Sequence, residues 1–95
     1  MNNSVNLPEN FKLSAYPNPF NGWVNIQFTI LKRDNISITI YNMLGQKIQS
    51  LFYEEEFNGG SHHISWDPNS IPSGVYYCVL NNTHSMKSLK LMLVK

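Results

Sequence analysis

Tyr16-Pro17-Asn18-Pro19-Phe20-Asn21 is a stretch that cannot be helical. Each proline lacks an N–H and pushes the residue before it out of the helical region, so Tyr16 and Asn18 are held extended. Asn21-Gly22 follows, a pair that tolerates positive φ and predicts a turn. From Trp23 to Ile30 the chain alternates. Val24, Ile26, Phe28 and Ile30 share one face, and Trp23, Asn25, Gln27 and Thr29 share the other. A period of two over that length predicts a half-buried strand. The proline pair is therefore a fixed bend between two extended segments, with Tyr16 and Phe20 expected to cap a core.

Upstream, Phe11 to Tyr16 reads as a first short strand. Residues 1–10 hold four Asn, one Ser, one Pro and one Glu, a composition that suits a linker or approach segment. The sandwich is then expected over residues 11–95. Downstream, Lys32 to Asn35 is a polar turn, after which Ile36, Ile38 and Ile40 alternate with Ser37 and Thr39. Gly45 is the expected positive-φ position of a hairpin that follows Tyr41. Ile48, Leu51 and Phe52 resume the apolar pattern, and Glu54-Glu55-Glu56 reads as a solvated loop guarding a sheet edge.

His62, Ile64 and Trp66 fall on one face of a further strand that exits through Asp67-Pro68. His62 is expected to be half-buried beside Trp66. Asn69 to Gly74 is a turn cluster, and Val75 to Leu80 is apolar on both faces, which predicts a central strand covered on both sides. Leu89, Leu91 and Leu93 mark the last strand. Short strands separated by turn signals at intervals of ~8–12 residues, with no helical period, predict an all-β protein. The expected architecture is an immunoglobulin-like antiparallel β-sandwich of about seven strands.

Composition narrows the function. A net charge of +1 lacks the basic stripe of a nucleic-acid binder, and no apolar run is long enough for a transmembrane segment. Met1-Asn2-Asn3-Ser4 has neither the basic nor the apolar part of a signal peptide, so an export signal is expected upstream in a longer parent. Ser61, His62, His63 and Asp67 fall within one strand and its exit, and the strand period sends the two histidines to opposite faces. A catalytic triad gathers its groups from different segments, so no enzyme is expected. The same divergence argues against a metal site, and no cofactor is expected. Cys78 has no cysteine to pair with and reads as a buried structural thiol. Trp23, Tyr41 and Tyr53 are surface aromatics that could stack on a sugar, as in an adhesive or structural immunoglobulin-like module.

Val75-Tyr76-Tyr77-Cys78 is similar to a run in antibody variable domains, where a Tyr two residues before Cys makes the tyrosine corner. The similarity implies that Tyr76, Cys78 and Leu80 face the core. The landmarks together are more specific: Tyr16 to Asn21; Ile36 to Gly45 with Tyr41; Gly60-Ser61-His62; Trp66-Asp67; Ser73-Gly74-Val75-Tyr76; and a closing Lys90-Leu91-Met92-Leu93-Val94-Lys95. This order closely resembles the type A C-terminal sorting domain of the type IX (Por) secretion system. Its opening also resembles the immunoglobulin-like domain of the flagellar hook-capping family. Asn42 stands where members of the sorting family more often have Asp.

The sorting resemblance implies a label at the end of a secreted protein. It implies transit through the periplasm, recognition by the type IX translocon and delivery of an N-terminal cargo domain to the outer-membrane surface or beyond. It also implies removal by a sortase-like surface protease, with the cut in residues 1–13. Lys87, Lys90 and Lys95, with Leu91 and Leu93 as anchors, form the expected recognition handle. The last strand is also expected to offer a free edge to a partner strand.

Overall fold

The alternation read at residues 24–30 becomes the middle strand of a sheet. In the computed structural model, which describes residues 11–95, seven strands follow in order. They are β1 (Lys12–Tyr16), β2 (Val24–Ile30), β3 (Asp34–Asn42), β4 (Lys47–Phe57), β5 (Gly60–Trp66), β6 (Gly74–Asn81) and β7 (Met86–Leu93). One sheet has the order β1-β2-β5 and the other β4-β3-β6-β7, with every pair antiparallel. The chain changes sheet after β2, β4 and β5, which gives the expected β-sandwich. The linker expected over residues 1–10 lies outside the described residues.

The core is what the period-two reading requires. Val24, Ile26, Phe28 and Ile30 of β2 face Ile36, Ile38 and Ile40 of β3, with Tyr76, Cys78 and Leu80 of β6, all buried. Fully burying one isoleucine side chain contributes roughly 1.5–3 kcal/mol, so β3 alone fixes which face of its sheet points inward. Gly45 has φ +80°, as expected for the β3–β4 turn. Asn42 organises that turn, with its Oδ1 accepting from the amides of Leu44 and Gln46, each at 2.9 Å.

Several expectations are corrected. Neither Asn21 nor Gly22 adopts a positive φ. Tyr16 is 55% exposed, so Phe20 alone caps the core at the bend. Glu54-Glu55-Glu56 is not a loop: the three glutamates lie inside β4, where three register shifts against β3 and a positive φ at Glu54 break the alternation. The β6 strand is central in its sheet but covered on one side only, because Tyr77 on its outer face is exposed. His62 packs against Phe28 and Phe57, at ring-centroid distances of 5.3 and 5.0 Å, rather than against Trp66.

The tyrosine corner is present. The Tyr76 hydroxyl donates to the carbonyl of Pro72, four residues upstream, at 2.6 Å. This bond ties the β5–β6 connection to the strand it enters. Tyr76→Phe removes it without changing shape. The expected result is a loss of about 1 kcal/mol in urea unfolding, with an unchanged dependence on urea concentration.

Candidate functional site

The Tyr16–Asn21 stretch runs along the outer edge of β7. Its two prolines, both following cis peptide bonds, have no N–H to offer. The Asn18 side chain acts in their place as a piece of main chain. Its Nδ2 donates to Lys90 O at 2.8 Å, and its Oδ1 accepts from the amide of Met92 at 3.0 Å. Phe20 continues the row: its N–H donates to Met92 O at 2.9 Å, and its carbonyl accepts from Val94 N at 2.8 Å. Phe20 and Leu93 thus form a parallel bridge. The outer edge of β7 is closed from Lys90 to Val94. The expectation of a free terminal edge is corrected there.

Motif residues from distant parts of the chain meet below this clamp. The Phe20 ring lies 6.1 Å from Trp66, and Trp66 lies 6.5 Å from Tyr76 in an edge-on arrangement. Trp66 Nε1 donates to Gln49 Oε1 at 3.0 Å, which satisfies the one polar atom of a buried indole. Tyr41 is half-buried on the outer face of its sheet, opposite Tyr77. Asp67 is exposed, and its carbonyl accepts from Asn69 N at 3.0 Å. Gly74 opens β6 opposite Leu93, and Pro17, Pro19 and Asn21 are exposed.

The handle residues are not gathered into one patch. Leu91 and Leu93 are buried and act only as anchors. Lys87 shares the inward face of β7 with them and holds its ammonium 5.9 Å from the Phe11 ring centroid. Lys90 points to the opposite face. Lys95 Nζ donates to Asn69 O at 3.2 Å, and its amide donates to the Ser73 hydroxyl at 2.8 Å. Sequence reasoning had no view of the clamp, because Asn18 and Met92 are 74 positions apart.

The other groups with chemical potential are also separate. Trp23, Tyr41 and Tyr53 lie in different segments, and the register places Tyr41 beside Lys47 and Tyr77. A polar recess of about 320 Å³ is lined by Asn35, Ser37, Glu54 and Thr83. Beside it, the Thr83 hydroxyl donates to Asp34 and holds that carboxyl below its ordinary range. Arg33 pairs with Glu56 at 2.7 Å on the exposed surface, which lowers the Glu56 carboxyl. Among the described residues, no three His, Cys, Asp or Glu side chains gather where they could hold a metal ion. Burial pushes the Cys78 thiol up to about 12.

Fold, tyrosine corner and inward aromatic cluster define an immunoglobulin-like module whose surface features lie on strand edges and at the chain end. Residues 14–95 match the family described as the secretion system C-terminal sorting domain. The chain belongs to that family. It is a secretion signal of the type IX (Por) system, directing export to the cell surface or the extracellular space. The match runs from within β1 to the last residue, so it spans the clamp and everything the clamp closes. Dimeric latent PorU from Porphyromonas gingivalis contains a similar fold, at a TM-score of 0.64 and 22% identity. The similarity covers 86% of this chain and 9% of that one. No curated protein matches the chain significantly. No helix among the described residues is long and apolar enough to cross a membrane.

Two measurements test this geometry. Asn18→Ala deletes two hydrogen bonds and should cost about 2 kcal/mol in urea unfolding, at roughly 1 kcal/mol per bond. The Met92 amide should exchange with solvent faster in that variant. The thiol supplies a pH test with a defined sign. Unfolded Cys78 ionises near its ordinary value of 9.0, while the folded thiol stays neutral to about 12. Its contribution is therefore complete below pH 9.0 and declines as pH rises from there toward about 12. The slope approaches about 1.4 kcal/mol per pH unit. Cys78→Val should lack that part of the alkaline loss.

Proposed function

We propose that the domain carries an N-terminal cargo protein through the type IX translocon after export of the parent into the periplasm. A sortase-like surface protease then cuts ahead of the sandwich, in residues 1–13, and the domain itself performs no catalysis. The observation that supports this reading is the family match over residues 14–95, which coincides with the folded unit. On this reading the family motif residues Tyr16 to Asn21, Tyr41, Gly45, His62, Trp66, Asp67, Gly74 and Tyr76 serve folding, and recognition falls to the chain end. There Lys90 and Lys95 are exposed, and Lys87 is half-buried beside Phe11. Leu91 and Leu93 hold the strand in register from below.

The test is a fusion of residues 1–95 behind a fluorescent reporter with an N-terminal export signal, in a bacterium with a working type IX system. Surface delivery is expected. Deleting residues 86–95 should trap the reporter in the periplasm, but it also removes two core leucines. Replacing Lys87, Lys90 and Lys95 together by Ser leaves those leucines in place. The substituted domain should keep its cooperative unfolding and lose most surface delivery. Full delivery of the triple variant removes the handle, and retention of the intact fusion in the periplasm removes the export reading.

A further inference from the structure

Among the described residues the two sheets have four lateral edges, and three of them carry a device that stops another strand from adding. The edge of β1 is five residues long and ends at Pro17. The edge of β4 is bulged, has a left-handed residue at Glu54 and carries three glutamates. The edge of β7 is occupied by Asn18 and Phe20. The fourth, β5, differs. It pairs with β2 over seven positions without a register shift and contains no Pro, Lys, Arg, Asp or Glu. The strand opens on Gly60 at φ +125°, and from Ser61 to Trp66 alternate residues turn their N–H and C=O groups outward.

The side chains beside this row are apolar except His62, and they are incompletely covered. His62 and Ile64 on the inward face of β5 are half-buried, as are Ile48, Leu51, Phe52 and Phe57 of β4. The two strands meet at the ends of this seam, through the Phe57–His62 ring contact and the Trp66–Gln49 hydrogen bond. At the Trp66 end the seam opens into a cleft of about 320 Å³ lined by Ile48, Gln49, Trp66, Pro68 and Ile71. At the other end stands Glu55, two residues before Phe57 and on the same side of β4. Among the described residues Glu55 has no ion pair.

We infer that the outer edge of β5 is a strand-addition site for an extended segment of a partner protein. That segment places apolar side chains over the seam at every second position and a lysine or arginine beside Glu55. Main-chain pairing supplies affinity and the seam supplies selectivity. A second copy of β5 does not meet the requirement. Antiparallel pairing of two such edges would bring Asp67, just past Trp66, toward Glu55, and β5 holds no lysine or arginine to offer. The inference stands on the four edges, the half-buried seam and Glu55, and does not depend on the export reading.

The test uses the full chain and a synthetic peptide of about nine residues, alternating valine and threonine with lysine at each end. A control peptide carries proline at its centre. Amide exchange followed by NMR should slow by about tenfold or more at alternate residues within 60–66 on adding the first peptide at about 1 mM, and not the second. Glu55→Lys, an exposed change, should weaken binding severalfold without moving the urea midpoint. Ile64→Lys, which turns a cation into the seam, should abolish the protection. The inference is overturned by protection at β4 or β7 instead, or by no protection at all. Slow exchange at residues 60–66 that depends on protein concentration without peptide would also overturn it, by showing self-pairing.

Discussion

One asparagine side chain joins the beginning of this sandwich to its end. Asn18 presents a donor and an acceptor with the spacing of a peptide group, and it uses both on consecutive outward groups of β7. Phe20 takes the next two with its own main chain. Four bonds at roughly 1 kcal/mol each matter against a typical total stability of about 5–15 kcal/mol. Their position matters as much as their sum. A terminal strand held by β6 alone would be the easiest part of the sheet to open. Here it is held on both sides, and the same segment drives the Phe20 ring down to Trp66. The prolines keep the segment from any competing ladder, since neither residue can donate a hydrogen bond.

That closure makes the molecule asymmetric. On the β1–β7 side the seam between the sheets is sealed by Phe20, Leu13 and Leu89, and its polar edge is partly spent. On the β4–β5 side the two strands themselves meet in one ring contact and one side-chain hydrogen bond. Phe52 and Phe57 also pack on Phe28, while Ile48, Leu51 and Ile64 stay half-buried. Edge protection follows the same division. The long β4 edge is made unsuitable for pairing by its bulges and carboxylates, a cost in regularity that limits uncontrolled association. The short β5 edge, with no register shift and no Lys, Arg, Asp or Glu, lacks such protection.

Legibility from sequence followed the same physics. Strands buried on one face write a period of two, so the cores of β2 and β3 and the inward register of Tyr76, Cys78 and Leu80 could be read directly. In β4 the bulges put Leu51 and Phe52 side by side and leave three glutamates in a row, so a strand of eleven residues reads partly as loop. The outer face of β6 misled for another reason. Val75, Tyr77 and Val79 are apolar, but apolar character does not require cover, and much of any folded surface is apolar. Tyr16 and Phe20 flank the same bend, yet only structure shows that one faces solvent and the other the core. The Asn18 clamp was invisible because a side chain bonding across 72 positions leaves no local period.

The clamp also changes how the two ends of the family pattern relate. In sequence, Tyr16 to Asn21 and Lys90 to Lys95 are separate landmarks at opposite ends of the module. In the folded chain they are one strip, with Asn18 and Phe20 lying alongside Lys90, Met92 and Val94. The buried leucines of β7 offer a receptor nothing, so a contact with the folded chain end must use the outer face of β7, its tail or the strip beside it. An unfolded chain carries the same lysines without the strip. A receptor that touched both parts would thereby distinguish a folded label from an unfolded one, since the geometry joining Asn18 to Met92 exists only after the sandwich has closed.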